Sequence, residues 1–241
     1  MAPRRVRRRF DVNLRRRPAY REPKKRFMLV CEGKRTEPDY FGYFNRLRFS
    51  EVKVTSEPAS GTPGPIVRRA IELRKGEYCG EDDEVWAVFD VDQHSDLGSA
   101  LNQANANGIS VALSSPCFEL WLLLHFRHQS ADIHRRKAYH ETKQHLPRYE
   151  KGITEQHFVL LADRYETAAM SAVRLVATAA ADGSCDPSRN PQTSAHVLVG
   201  AILDSMLKFE GAGVGQSLKT SDASGIVGAL RKMMSVRKRR H

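Results

Sequence analysis

The sequence predicts an α/β protein: a mostly parallel sheet flanked by helices, with a helical C-terminal part. Short apolar runs of strand length alternate with amphipathic stretches of helix length through the first half of the chain. This alternation predicts strand–helix–strand units with parallel strands. After Pro116 the apolar residues are spaced as in helices, which predicts the helical part. A chain of 241 residues is long enough for one large domain of this kind.

The predicted elements follow one another from residue 27 onward. Strands are predicted where apolar residues run together or alternate with polar ones, at residues 27–31, 52–54, 84–89 and 109–113. Helices with an apolar stripe and Gly or Pro boundaries are predicted between them, at residues 37–48, 66–74 and 96–107. The later helices are predicted at residues 118–126, 157–181 and 194–209.

Positive charge is concentrated at the two ends of the chain. The formal net charge is +11, yet residues 1–26 alone hold twelve Lys or Arg and two acidic residues. Residues 231–241 hold six Lys or Arg and no acid, which leaves residues 27–230 with a net charge of −5. We therefore expect a mildly acidic folded domain between two basic ends.

This distribution predicts three segments. They are a basic disordered arm at 1–25, a folded domain at 26–210, and a flexible loop, short helix and basic tail at 211–241. Arginine dominates the arm and binds phosphate bidentately, so the arm is a candidate nucleic-acid-binding segment. A solubilising tail is the alternative. The candidate phosphate contacts are Arg4, Arg5, Arg7, Arg8, Arg9, Arg15, Arg16 and Arg17.

Several function classes are disfavoured by what the sequence lacks. No apolar stretch is long enough to cross a bilayer and no signal peptide is evident, so we expect a cytoplasmic protein with no membrane partner. The four cysteines form no CxxC pair, which argues against a cysteine-rich zinc site. Lys34 is followed by Arg35 where a nucleotide-triphosphate loop needs Ser or Thr, so we do not expect ATP hydrolysis.

Acidic residues follow two of the predicted strands. Asp90 and Asp92 come directly after an apolar strand, and their spacing places both carboxylates on one face if the chain stays extended. Two crowded carboxylates repel each other unless a cation neutralises them. Hard divalent ions such as Mg²⁺ prefer such oxygen ligands. The pattern therefore favours a metal site, with a solvated turn as the alternative.

Glu32 follows the first predicted strand at an equivalent position. The carboxyl ends of parallel strands open on one edge, so Glu32 is expected to lie near the aspartates. Gly33 would let the backbone approach a ligand, and Lys34 and Arg35 are candidate phosphate contacts. Glu37 opens the next helix, where we expect its carboxylate to interact with the helix dipole.

Four blocks of the sequence resemble, in the same order, those of the RloB-like proteins. The blocks are residues 30–44, 85–94, 114–126 and 190–199, and the resemblance covers roughly residues 26–205. It implies a Toprim-related domain, the fold of topoisomerases, DnaG-type primases and OLD-family nucleases.

The resemblance also implies roles for particular residues. In the Toprim fold a Glu after the first strand and a later Asp-x-Asp bind the catalytic metal, and these map to Glu32, Asp90 and Asp92 with Mg²⁺ or Mn²⁺. Glu119, in the third block, is a candidate further acid. Candidates for closing the site lie in the fourth block, at Asn190, Thr193 and His196. The family is associated with phage defence and restriction loci, which implies an RloA-like ATPase partner.

Two hypotheses of function follow. The first is a Mg²⁺- or Mn²⁺-dependent nuclease that acts on nucleic acid phosphodiesters in antiphage defence, by abortive infection or beside a restriction system. The second is a non-catalytic nucleic-acid-binding or sensor subunit that works with a partner ATPase. A primase or topoisomerase is disfavoured, because no zinc-binding module and no evident nucleophilic tyrosine is present. The sequence leaves open whether the substrate is DNA, RNA or a nucleotide.

Overall fold

The structure is a computed structural model that describes residues 25–47, 52–59, 61–91, 96–184 and 186–211. Within these residues one sheet is formed by β1 (Lys25–Cys31), β2 (Val52–Pro58), β3 (Glu84–Asp90), β4 (Ser110–Ser115) and β5 (Gln192–Thr193). The strand order is β2-β1-β3-β4-β5. All neighbouring pairs are parallel except β4 and β5. The predicted mostly parallel sheet is therefore confirmed.

Helices connect the strands and make up the C-terminal part, as predicted. In the described residues they are α1 (Thr36–Gly42), α2 (Pro63–Lys75), α3 (Leu97–Ala106), α4 (Glu119–Leu124), α5 (Arg135–His145), α6 (Glu155–Ala162), α7 (Tyr165–Ala181) and α8 (Ala195–Gly211). A 3₁₀ turn at Tyr43–Arg46 continues α1. None of the helices in the described ranges is long and apolar enough to cross a membrane.

The sheet is covered on both faces because its central strands are apolar on both sides. Along β1, Phe27 and Leu29 point into one core while Val30 points into the other, which is the alternation expected of a strand. The first core packs against α1, α4, α7 and α8, and the second packs against α2 and α3. All six residues of α4 are buried. This three-layer packing fixes where the strand ends lie.

Three features depart from the predicted elements. The single helix predicted over residues 157–181 is wrong, because the exposed pair Asp163 and Arg164 separates α6 from α7. Helix α5 was missed because only Ala138 and Thr142 in it are buried, too few to give an apolar stripe. Strand β5 has two residues, so its place depends on pairing with β4 rather than on its own pattern.

Three of the four cysteines lie in the described part of the chain. Cys31 and Cys117 are buried, Cys79 is half-buried, and none of the three forms a disulfide.

Candidate functional site

The carboxyl ends of β1 and β3 meet at the topological switch point of the sheet. From β1 the chain crosses to β2 on one side, whereas β3 is followed by β4 on the other. Ligands of open α/β sheets bind at such a point. Glu32 leaves β1 here, and its Oε2 accepts the backbone N–H of Asp90 at 2.9 Å. Two residues 58 positions apart are thus in direct contact at the edge where ligands are expected.

Asp90 is held through both of its carboxylate oxygens. Oδ1 accepts the backbone N–H of Phe118 at 2.8 Å, and Oδ2 accepts Nη2 of Arg135 at 2.8 Å. Burial and the nearby carboxylates of Glu37 and Glu32 raise the pKa of Asp90 well above its usual value, although Arg135 opposes this shift. Asp90 is therefore a crowded acid with one guanidinium partner.

Glu37 is buried in the same place and is only 5% exposed. Its Oε1 accepts the backbone N–H of Gly33 at 3.1 Å. A Cβ at residue 33 would lie 2.0 Å from Oε2 of Glu37, so any side chain at this position would clash with the carboxylate. Burial, together with the charges of Glu119 and Glu32, raises the pKa of Glu37 to about 7. The expectation of an ordinary helix-start carboxylate at Glu37 is therefore corrected: desolvation and neighbouring acids dominate the helix dipole.

Glu119 enters the site from the start of α4 and is 3% exposed. Its Oε1 accepts the hydroxyl of Tyr149 at 3.1 Å, and Nζ of Lys151 lies 3.7 Å from the same oxygen. The Tyr149 hydroxyl is also 3.2 Å from Oγ1 of Thr36. The charge of Glu119 raises the pKa of both Glu37 and Asp90. We call Glu32, Glu37, Asp90 and Glu119 the acid cluster.

Residues 146–153 form a segment that packs over the acid cluster. Tyr149 is completely buried, and the non-glycine residues Arg148 and Lys151 on either side adopt positive φ angles of 61° and 53°. Such angles are uncommon for these residue types and persist where the surroundings hold them. A Cβ at Gly152 would lie 2.7 Å from Nη2 of Arg35, so the Arg35 guanidinium rests against this segment.

Comparison with known families identifies the chain at this point. A family model described as "RloB-like protein" matches residues 27–202. The chain belongs to the RloB-like family. No curated protein and no solved structure matches it. The matched region includes every member of the acid cluster.

The acid cluster of this RloB-like protein contains three of the residues predicted for the site. Glu32, Asp90 and Glu119 come together as expected, whereas Asp92 lies outside the described residues. The arginines predicted in the 1–25 arm lie outside them as well. Lys34 and Arg35 are exposed on the loop after β1, next to Glu32.

The three candidates for closing the site lie farther along the sheet. The hydroxyl of Thr193 bonds to that of Ser114 at 2.8 Å, and Ser114 in turn pairs with Asp90 in the strand register. Thr193 is thus two strands from Asp90, roughly 10 Å away. Asn190 bonds to both backbone groups of Ile133, and His196 lies half-buried in the first turn of α8. Their role in closing the site stays a prediction.

Sequence reasoning missed three residues that contact or join the acid cluster. Glu37 was assigned to the helix dipole, and neither Arg135 nor Tyr149 was singled out. For Glu37 the usable signal is Gly33 four residues earlier, since a bulkier residue there would collide with the acid. For Arg135 it is a helix that starts with Arg-Arg-Lys and has no acid in its first turn, which opposes the helix dipole and calls for a reason.

The acid cluster offers oxygen ligands of the kind that hard divalent cations prefer. The neighbouring carboxylates raise the pKa values of Glu37 and Asp90, and a bound cation would relieve that repulsion. In the described ranges no group of three or more His, Cys, Asp or Glu residues has a ready metal-binding arrangement. The donor chemistry fits Mg²⁺ or Mn²⁺, and the third ligand of the predicted set is Asp92.

Proposed function

We propose that this RloB-like protein is a Mg²⁺- or Mn²⁺-dependent nuclease of Toprim type that cleaves nucleic acid phosphodiesters in antiphage defence. The observation that carries the proposal is the acid cluster at the topological switch point. In it, burial and the neighbouring carboxylates raise the pKa values of Glu37 and Asp90. Perturbed acids of this kind concentrate at functional sites.

Glu32 and Asp90, with Asp92, are the residues proposed to hold the cation. A divalent ion there would stabilise charge on the scissile phosphate and lower the pKa of a bound water. Glu37 and Glu119 add negative charge around these ligands, and Tyr149 fixes one oxygen of Glu119. Lys34 and Arg35 stand exposed beside Glu32, where they would hold a neighbouring phosphate of the substrate.

The arginines of the 1–25 arm are proposed to supply affinity that does not depend on sequence. Each phosphate contact releases a counterion, so the arm should make binding strongly salt-dependent. Deleting residues 1–22 spares β1, which begins at Lys25. We expect this deletion to weaken DNA or RNA binding and to flatten the salt dependence by several units of slope. Unchanged affinity and slope would make the arm a solubilising tail.

The decisive experiment measures cleavage by the purified full-length protein. Single- and double-stranded DNA and RNA are incubated with Mg²⁺, Mn²⁺ or EDTA, using wild type, Asp90→Asn and the matched control Asp82→Asn. Asp82 is an exposed aspartate on the turn before β3. We expect cation-dependent cleavage by wild type and by Asp82→Asn but not by Asp90→Asn. Cleavage by all three would remove the acid cluster from the reaction.

A second candidate function is a nucleic-acid-binding or sensor subunit without its own chemistry, working with an RloA-like ATPase. The observation in its favour is the ion pair between Arg135 and Asp90, which already neutralises one proposed ligand. The same experiment separates the two functions. Binding of DNA or RNA with no cleavage under any cation condition, followed by cleavage or signalling only when the ATPase is added, would favour the subunit.

A further inference from the structure

Arg135 is the cation that directly contacts the acid cluster at Asp90. It is the first residue of α5, and its Nη2 lies 2.8 Å from Oδ2 of Asp90 and 3.4 Å from the carbonyl oxygen of Pro116. The other Asp90 oxygen accepts the N–H of Phe118. Both oxygens of this proposed ligand are therefore engaged while Arg135 stays in place.

The position of Arg135 is costly for the helix that carries it. Arg135, Arg136 and Lys137 open α5 with no acid in the first turn, at the end of the helix dipole that disfavours cations. Lys137 has a distant partner in Glu141 at 3.9 Å, whereas Arg135 has the short contact with Asp90. The contact with Asp90 helps to offset this cost at Arg135.

The Arg135–Asp90 pair is also open enough to be rearranged. The side chain of Arg135 is 36% exposed and that of Asp90 is 17% exposed, so solvent reaches part of the pair. An arginine keeps its charge at any physiological pH and binds phosphate bidentately when it leaves a carboxylate. The guanidinium is thus a phosphate-binding group held at the mouth of an acidic site.

We propose that Arg135 is an exchangeable counter-ion: it holds Asp90 in the metal-free protein, releases it when the divalent cation binds, and then binds a phosphate of the nucleic acid. This inference rests on the proposed nuclease function. It assigns Arg135 a positioning role toward the cation and a binding role toward the substrate. It also explains why one proposed metal ligand already has a cationic partner.

The first test measures Mn²⁺ binding to the full-length protein by titration calorimetry. Arg135→Gln removes the competing charge, and Arg136→Gln is the matched control because Arg136 is the exposed next residue on the same helix. We expect Arg135→Gln to bind Mn²⁺ on the order of tenfold more tightly than wild type. Arg136→Gln should change the affinity by less than about threefold.

Thermal unfolding keeps this test informative if Arg135→Gln lowers stability. Without metal, the variant leaves Asp90 buried beside other acids and should melt below wild type. Mn²⁺ should then raise its melting temperature more than it raises that of wild type. Arg135→Lys, which keeps the charge but loses the planar fork, should fall between the two.

The second test measures the phosphate-binding role by fluorescence anisotropy with short labelled single-stranded DNA and RNA. Arg135→Gln should lose more affinity in the presence of Ca²⁺ than in EDTA, because Arg135 leaves Asp90 for the phosphate only when a divalent cation occupies Asp90. An equal loss in both conditions would overturn the substrate-binding role.

The outcomes separate this inference from the proposed function. If wild type binds Mn²⁺ and Arg135→Gln binds it no more tightly than Arg136→Gln does, the exchange is overturned while the metal site stands. If no variant binds Mn²⁺, the metal site and the exchange fall together, and Arg135 is a permanent partner of Asp90. Tighter binding by Arg135→Gln alone supports the exchange.

Discussion

Acidic residues at the amino ends of β1 and β3 differ from those at the carboxyl ends in how fully basic residues pair with them. At their amino ends each acid has a basic partner from the neighbouring strand: Lys25 contacts Glu84 at 2.6 Å and Arg26 contacts Asp83 at 2.5 Å. At the carboxyl ends of the same strands, four acids have a short contact from Arg135 to Asp90 and a longer one from Lys151 to Glu119, at 3.7 Å. Acidic and basic charges are thus paired at the amino ends, which we call the balanced edge, whereas acids are in excess at the carboxyl ends, the unbalanced edge.

Burial does not account for this difference, since Asp83 and Asp90 are both largely buried. Burial raises the pKa of Asp83, but hydrogen bonds from Arg26 and from the Gly80 N–H outweigh it and lower the pKa below the usual value. For Asp90, burial and neighbouring acids act together and raise the pKa. The sign of the shift therefore differs between the two edges: partners favour the charged form of Asp83, whereas the surroundings of Asp90 disfavour it.

The largest expected effect is the loss of activity in Asp90→Asn. This variant keeps an acceptor for the Phe118 N–H but loses the charge proposed to bind the cation. We expect cleavage to fall by more than about a hundredfold, with the fold retained as judged by circular dichroism. The balanced edge supplies a second control: Asp83→Asn should cleave at the wild-type rate under conditions where it is folded. Equal activity losses in both variants would show that the two edges do not differ in function.

The next effect is a gain of stability in Glu37→Gln at alkaline pH. The folded pKa of about 7 lies above the value of 4.5 expected in the unfolded chain, so the folded state keeps its proton longer. Wild type therefore loses stability as pH rises from about 4.5 to 7. Glutamine removes the charge and still offers an oxygen to the Gly33 N–H. We expect the variant to be about 2–3 kcal/mol more stable at pH 8 and equal to wild type near pH 4.5, as measured by urea unfolding at both values.

Asp83→Asn should lower the free energy of unfolding, whereas Glu37→Gln raises it, and the change should be slightly smaller. Asp83 accepts hydrogen bonds from the backbone and guanidinium of Arg26 and from Gly80. Its folded pKa is lowered, so its contribution is present above the unfolded pKa and is lost as pH falls through the folded value. We expect a loss of about 2 kcal/mol at pH 7 that shrinks as pH falls below the unfolded pKa and through the lowered folded value. A variant that is more stable than wild type at pH 7 would contradict the balanced edge.

The smallest expected effect is that of Tyr149→Phe, which tests the hydrogen bond from Tyr149 to Glu119 at the carboxyl-end edge. Tyr149→Phe removes the hydroxyl that donates to Glu119 and contacts Thr36 but leaves the ring in the core. We expect a loss of about 1 kcal/mol in the free energy of unfolding, together with a larger relative loss of Mn²⁺ affinity than Tyr139→Phe causes. Tyr139 is a suitable control because its hydroxyl bonds to the exposed Glu150 instead. Equal Mn²⁺ affinity in both variants would make Tyr149 a purely structural partner of Glu119.

The fold and part of the site were accessible from the sequence because they depend on local pattern. Glu32 and Asp90 follow apolar strands, and parallel strands end on one edge, so their meeting required no knowledge of the helices. The place of Glu37 in the site depends on its side chain lying against Gly33, a contact that residue spacing alone does not predict. Arg135 lies on a helix with two buried residues, and Tyr149 lies in an irregular segment. Their places depend on tertiary packing and could not be predicted from residue order.

The sequence distance between α1 and the segment that covers the acid cluster has a consequence during synthesis. Thr36 bonds to Tyr149 and Asp39 bonds to Ile153, across 113 and 114 residues. A ribosome adding about 5–20 residues per second finishes β1, β3 and β4 some seconds before it reaches residue 153. During that interval the nascent chain carries the sheet-edge carboxylates before Arg135 and Tyr149 are in place. Any activity that needs the completed cluster is therefore absent until residue 153 has been made, and fragments that stop before Arg135 never acquire it.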